Sequence, residues 1–332
     1  MIKTRIKAAQ FGAGRIGHVH APNLASIPGV ELTYISDVYA PAAEALAAQY
    51  GARTATAKEI FDDPSVEAVV IASITSTHAD LIERAASAGK AIFCEKPVDL
   101  DLERARQAQK AVDNAGVLCM VGFQRRFDPT FNSLKTRLNA GEIGTPEVLL
   151  ITSRDQAPPH LSYFRTSGYI FRDMLIHDFD IFRWILDEEA ATIHATGSCL
   201  VDPAIAAEGD IDTAIVNIRG KSGKLCQINA SRRATFGYDQ RFEVLGSAGM
   251  MQAGNHRPTE VTSSTAKQVA TDSVEPYFLQ RYRIAYHDEL VHFFDAIRTG
   301  GPVRTTMADA IKAQELAEAA TQSWQTGQIV TL

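Results

Sequence analysis

Asp173 and His177 stand four residues apart in the stretch Arg172-Asp173-Met174-Leu175-Ile176-His177-Asp178-Phe179-Asp180. On a helix, positions i and i+4 share one face, so both side chains could reach the same bound molecule. A carboxylate beside an imidazole handles protons: the acid orients the ring and stabilises its charged form. The same residues also suit a helix N-terminus, where acids offset the dipole, backed by a buried histidine. The segment alone leaves both readings open.

A second set of chemistry-bearing residues opens the chain. Ile6 to Phe11 reads as a short apolar strand, followed at once by Gly12-Ala13-Gly14-Arg15-Ile16-Gly17 and a helical stretch to Ile27. Val30 to Asp37 reads as a second strand ending in an acid, 20 residues after Gly17. This is the spacing of a dinucleotide fingerprint. Gly12 permits a tight turn, Gly14 lets a pyrophosphate approach the backbone, and Gly17 lets helix and strand pack closely. Arg15 and Ile16 complete the turn, and the helix N-terminus offers free N–H groups to phosphate. Asp37 can accept hydrogen bonds from ribose hydroxyls and would repel a 2′-phosphate, which favours NAD over NADP.

The alternation of helix and strand continues. Pro41 to Tyr50 is an alanine-rich helix, and Glu67 to Ser73 an apolar strand suited to a position buried on both faces. Ser73, Thr75, Thr77 and His78 follow at its carboxyl end, where open α/β sheets bind ligands. Thr77 could equally cap the helix from His78 to Gly89. Ala91 to Glu95 is the next strand and runs into Lys96-Pro97. The residue before a proline is steered to extended geometry, so Lys96 could project from the strand end and hold a hydroxyl or oxyanion, or lie as a surface lysine. Val117 to Phe123 closes this first domain.

Length and composition frame these motifs. A chain of 332 residues exceeds one ordinary core, so two domains are expected, 1–124 and 125–332. A net charge of −6 leaves no electrostatic footprint for nucleic acid. The longest apolar runs, such as Ala68 to Ser73, are too short to span a bilayer. Met1 to Arg5 leads straight into a strand without an apolar h-region, which argues against a secretory signal. Cys94, Cys119, Cys199 and Cys226 form no CxxC and suggest neither a disulfide framework nor a zinc site; the cytoplasm is the expected compartment. No metal-ligand cluster is legible.

Beyond Arg125 the pattern changes. Helices are expected at Asp128 to Ala140 and Arg172 to Leu186, with strands at Glu147 to Ser153, Ala191 to Leu200, Asp212 to Arg219, Lys224 to Ser231 and Gln240 to Gly246. Gly220-Lys221-Ser222-Gly223 joins two of them as a hairpin. Consecutive strands imply a large, mostly antiparallel sheet with helices on one face. Ile215, Cys226, Ile228 and Val244 suggest apolar groups on both faces, so either a second subunit covers one face or a wide sheet is solvated. Two helices, His287 to Thr299 and Met307 to Thr326, end the chain, and the second could pack back on the first domain. The fold class is thus α/β followed by α+β.

Taken together and in order, Gly12-x-Gly14-x-x-Gly17, Glu95-Lys96-Pro97 and Asp173-x-x-x-His177 resemble the oxidoreductase family named for glucose–fructose oxidoreductase and inositol dehydrogenase. The resemblance covers essentially the whole chain. Longer strings are similar to the inositol 2-dehydrogenases of that family: Val121 to Asp128, Ser153 to Pro159, Ile170 to Asp180 and Gly237 to Arg241. Where similar enzymes often carry Gly-Gly, this chain has Gly168-Tyr169. The resemblance implies an NAD-dependent dehydrogenase of a cyclic polyol, most readily myo-inositol, and a homotetramer. It implies catalytic roles for Lys96, Asp173 and His177. An imidazole's ordinary pKa of about 6.5 makes His177 the candidate base, with Lys96 on the reacting oxygen and Asp173 orienting. It places Arg126 and Tyr238, with Arg154 and Asp155, against substrate, although Arg154 and Asp155 could form a structural ion pair instead. Glu95 and His78 join the cofactor residues. His160 and Tyr163 lie on a proline-bearing loop that could cover the site.

Overall fold

The computed structural model describes residues 5–332. The reading of the N-terminus rests partly on Met1 to Thr4, which lie outside them. No helix among the described residues is long and apolar enough to cross a membrane.

The chain forms two compact units, which are not the contiguous halves 1–124 and 125–332. The first runs to Phe127 and also takes Ile284–Lys312; the second comprises Asp128–Arg283 and Ala313–Leu332.

In the first unit the elements are β1 (Ile6–Phe11), α1 (Gly17–Ser26), β2 (Val30–Ser36), α2 (Ala40–Tyr50), β3 (Arg53–Thr54), α3 (Ala57–Asp62), β4 (Ala68–Ile71), α4 (His78–Ser87), β5 (Ala91–Glu95), α5 (Leu102–Ala115) and β6 (Cys119–Gly122). The strands pair in parallel, in the order β3-β2-β1-β4-β5-β6. Val69, Val70 and Ile71 of the central β4 are fully buried, as a parallel strand covered on both faces requires. Local chemistry sets the helix starts. Thr56 and Glu59 form a reciprocal capping box at α3, and the Asp101 carboxylate accepts from the Glu103 and Arg104 N–H groups at α5.

The second unit contains α6 (Pro129–Asn139), β7 (Pro146–Arg154), α7 (Leu161–Ser167), α8 (Ile176–Leu186), β8 (Ala190–Ser198), α9 (Pro203–Ala207), β9 (Thr213–Gly220), β10 (Leu225–Ser231), β11 (Asp239–Gly246) and β12 (Gly249–Ala253). A short hairpin, β13 (Thr262–Ser264) with β14 (Val269–Thr271), and α10 (Phe278–Arg281) follow. After α11 (Arg283–Thr299) and α12 (Met307–Thr326), the chain ends in β15 (Val330–Thr331). The large sheet has the order β12-β11-β7-β10-β9-β8-β15. β9 and β10 form the expected hairpin, while β10 lies parallel to β7. This one parallel pair carries the chain out of β7 and β10 on the same side. Residues alternate along β9 and β10, with Ala214, Val216, Ile218, Cys226 and Ile228 buried and Ile215 and Leu225 exposed. Ile215 therefore lies on the open face, whereas Cys226, Ile228 and Val244 all face the covered one.

The expected continuous helix from Arg172 to Leu186 is not formed. Ile170–Met174 is a single π-helical turn, and α8 begins only at Ile176. Tyr169 enters the turn at φ 68° and ψ −174°, a conformation open to glycine and strained for any side chain. Wide turns of this type recur at functional positions.

Candidate active site

The nucleotide half is built at the carboxyl ends of β1, β2, β4 and β5. Gly12 has φ 104°, and a Cβ there would lie 2.3 Å from the Ala72 carbonyl oxygen. A Cβ on Gly17 would lie 2.3 Å from the Gly12 carbonyl oxygen, so helix α1 can seat against the turn only with glycine in this place. Gly14 differs: nothing lies within 4 Å of where its Cβ would be. That open, exposed backbone is the cradle a pyrophosphate fits. Arg15 is exposed and Ile16 half-buried beside it.

Two residues brace the turn. Gln10, which the sequence did not single out, is fully buried and donates its side-chain N–H groups to the carbonyls of Gly12 and Gly17, at 2.8 and 3.0 Å. Asp37 accepts from the backbone N–H groups of Ala13 and Tyr39, at 2.6 and 2.8 Å. A carboxylate has about four acceptor positions, so lone pairs are left for ribose hydroxyls. Val38 and Tyr39 beside it, and Ile74 beyond β4, are exposed apolar groups, Val38 at 95%. Large apolar side chains held in water around a glycine turn suit the flat faces of a bound dinucleotide. These residues fit NAD.

Other expected cofactor residues face inward. His78 is buried, with Nδ1 2.8 Å from the Pro97 carbonyl and Nε2 3.1 Å from the Ser73 carbonyl. Burial holds its pKa below the ordinary imidazole value. A neutral ring carries one N–H, so it donates to one of these two carbonyls. Thr77 does not cap α4: its hydroxyl pairs with Ser73 Oγ at 2.7 Å and donates to the Ile74 carbonyl. Thr75 stands in the short helical turn Thr75–Thr77. Lys96 is half-buried at the end of β5, and its peptide bond to Pro97 is cis.

Glu95 is buried and pairs with the His20 ring at 2.7 Å. Ligand atoms of His20, Glu95 and Glu289 lie within 4.8 Å of one another, a grouping not legible in the sequence. Both oxygens of the fully buried Glu289 lack a hydrogen-bond partner. Burial, reinforced by the Glu95 charge, drives the Glu289 pKa well above the usual carboxylate range.

Arg126, expected against substrate, is buried within the nucleotide unit. It donates to the Arg304 carbonyl at 2.9 Å and meets Asp309 at 3.2 Å. The partner arrives with the Ile284–Lys312 segment, which sequence order could not have revealed.

Asp173, His177 and the other residues expected against substrate, Arg126 and Lys96 apart, belong to the second unit. Asp173 stands in the π turn and His177 in the first turn of α8; His177 is buried. Tyr163 donates its hydroxyl to Asp173 at 3.0 Å. It sits on α7, a helix capped by His160, rather than on an irregular loop. Asp155 follows β7 and faces the Arg232 guanidinium at 3.9 Å. Arg154 turns to Asn229 and Asp239. Asp239 is fully buried; burial pushes its carboxyl up, but hydrogen bonds from Arg241 and Asn255 outweigh this and hold it low. Tyr238 is buried, edge-on to Tyr282 at 5.8 Å. Gln240 donates to Asp178, next to His177, at 3.2 Å. Tyr169 lines a cleft of about 360 Å³ with Phe171, Arg172, Asp210, Glu318 and Trp324; its bulk lies there.

The four cysteines are free. Burial pushes Cys119 up to about 12, so it behaves as a small apolar residue.

Known protein families match both units. Residues 6–123 match an oxidoreductase family with an NAD-binding Rossmann fold. Residues 131–252 match the GFO/IDH/MocA C-terminal domain. The chain belongs to the GFO/IDH/MocA oxidoreductase family. Within the family it is 44% identical over 318 residues to the inositol 2-dehydrogenase of Rhizobium meliloti (strain 1021), covering 96% of each chain. It is 39% identical over 331 residues to a scyllo-inositol 2-dehydrogenase (NAD(+)) of Bacillus subtilis (strain 168), covering 99% of this chain and 96% of the relative. The crystal structure of a myo-inositol dehydrogenase from Corynebacterium glutamicum ATCC 13032 superposes with a TM-score of 0.95, at 43% identity and covering 99% of both chains.

Proposed function

We propose that this GFO/IDH/MocA oxidoreductase oxidises a ring secondary alcohol of an inositol, with myo-inositol giving 2-keto-myo-inositol. NAD, when bound, accepts the hydride at its nicotinamide C4. The carbinol C–H and O–H bonds break and a C=O bond forms. His177 takes the hydroxyl proton as general base, Lys96 holds the reacting oxygen as negative charge develops on it, and Asp173 orients the donors. The observation that carries this reading is the joint presence of Lys96, Asp173 and His177 in a chain 44% identical to an inositol 2-dehydrogenase. A regulator that only sensed NAD would need none of the three. The second unit supports the assignment, since Tyr163 and Arg232 hold Asp173 one turn before His177.

A second reading, oxidation of scyllo-inositol, draws on the 39% identity to the Bacillus subtilis enzyme. Other polyols, D-chiro-inositol or an aldose, remain in the same class. A panel of inositol isomers and aldoses, with NAD and NADP and NADH absorbance as readout, tests these readings. Turnover of aldoses alone would overturn the inositol assignment.

The reading extends to assembly and place. Leu150, Ile215, Leu225 and Leu245 are exposed strand residues of the large sheet, and we assign their face to a second copy in a homotetramer. A monomer by light scattering at micromolar concentration would contradict this. Four free thiols suit a reducing cytoplasm.

A further inference from the structure

Arg232, which no motif singled out, lies among three acids of the second unit, Asp155, Asp173 and Asp210. Arg232 follows β10 and Asp155 follows β7. These two strands run parallel, with Ser231 opposite Arg154, and the Asp155 N–H donates to the Ser231 carbonyl at 2.9 Å. The sheet thus delivers a cation and an acid side by side. The Arg232 side chain is only 1% exposed. Its guanidinium lies 3.6 Å from Asp173, 3.9 Å from Asp155 and 3.8 Å from Asp210, and stacks 4.8 Å from the Phe164 ring. Its Nε and Nη2 make no hydrogen bond.

Asp210 is the most deeply buried of the three acids, and burial raises its pKa despite the backbone N–H groups of Ile211 and Ile170 and the nearby Arg232 charge. The guanidinium also faces Asp155 and Asp173. These two keep 26% and 13% of their side chains exposed.

We propose that Arg232 is a positioning residue for polyol oxidation: its guanidinium holds Asp155 and Asp173 together so that Asp173 presents a fixed carboxylate beside His177. The inference rests on the catalytic reading of Asp173. The fork of an arginine can face several carboxylates at once, whereas a lysine ammonium serves as a point charge.

The test is a double-mutant cycle on the full chain with saturating NAD and the inositol isomer turned over fastest. Thermal unfolding and NAD binding serve as controls for folding. Arg232→Met is expected to lower kcat/KM about 100-fold, with kcat as well as KM affected. Arg232→Lys should recover roughly tenfold of that loss. Arg232→Met combined with Asp173→Asn should be no worse than Asp173→Asn alone, because the arginine acts through that carboxylate. Wild-type kcat/KM in folded Arg232→Met, or a double variant that loses the product of both single effects, overturns the inference. Should Arg232→Met not fold, Arg232→Lys with and without Asp173→Asn gives the same comparison. Full activity in Asp173→Asn would instead remove the reading on which the inference stands.

Discussion

Two turns bend this chain through positive φ next to its chemistry, and they do so in opposite ways. After β1, Gly12 takes φ 104° under the Ala72 carbonyl, with no side chain to strain. Before the π turn, Tyr169 takes φ 68° and ψ −174° with a full aromatic side chain. The first turn is relaxed, braced by Gln10 and Asp37. The second is strained and is held by packing and by the Ile170 N–H on Asp210. The turn after β1 is thus a cradle of backbone, whereas the turn before Asp173 depends on side chains held by other side chains. Damage to the first should be steric and show in cofactor binding; damage to the second should be electrostatic and show in turnover.

The largest expected effect falls on the side-chain half. His177→Ala should lower kcat by about two to four orders of magnitude, the usual worth of general acid–base help, while NAD affinity measured by calorimetry stays near wild type. Lys96→Ala should do comparable harm. Wild-type turnover in both would erase the roles assigned to them.

Gly12→Ala strikes the backbone cradle. With a Cβ 2.3 Å from a carbonyl oxygen, it should cost about 3 kcal/mol of stability and weaken NAD binding. An unchanged unfolding midpoint would show that the turn has slack. Asp37→Ala removes the acceptor for the Ala13 and Tyr39 N–H groups. It should reduce the preference for NAD over NADP by about tenfold; an unaltered kcat/KM ratio would defeat the ribose assignment.

Tyr169→Gly carries the comparison to its smallest effect, of opposite sign. Relief of the backbone should stabilise the protein by up to about 1 kcal/mol once the entropic cost of glycine is subtracted. A lower unfolding midpoint would mean that tyrosine packing in its cleft outweighs the strain.

Glu289 sharpens the picture inside the nucleotide unit. Its pKa is raised by burial and by Glu95. Its stabilising contribution is therefore complete below the ordinary glutamate range and falls as pH climbs through the folded value. Glu289→Gln should leave stability nearly unchanged at acid pH and flatten the decline toward alkaline pH, read as unfolding midpoints across a pH series. An identical pH slope in both proteins would show that Glu289 does not carry this proton.

How much was legible divides along the same line. The glycine spacing, the acid after β2 and the apolar runs of the parallel strands are local signals, and the turn they encode is local too. The residues of the second half were named from their motif, but their surroundings were not foreseen. Tyr163 reaches Asp173 from a separate helix, and Arg232 reaches it from a strand end about 60 positions along the chain. Such partners are set by sheet register, which no spacing rule reports. The π turn escaped because Tyr169 carries no hint of positive φ in its residue type. Arg126 was placed against substrate by the resemblance, and its contact with Asp309, 183 positions away, was not legible. His78 looked available since only its place after β4 could be seen, not the two carbonyls beside its ring. Gln10 might have been noticed as a lone polar residue in an apolar strand, where burial demands a hydrogen-bond partner.

The central claim is that Lys96, Asp173 and His177 serve one reacting hydroxyl. A crystal structure of the chain with NAD and its inositol tests this most directly. The account predicts the oxidised carbon's hydroxyl within about 2.6–3.2 Å of both the Lys96 Nζ and a His177 ring nitrogen, with its C–H aimed at nicotinamide C4. A bound polyol whose reacting hydroxyl meets neither side chain would contradict it.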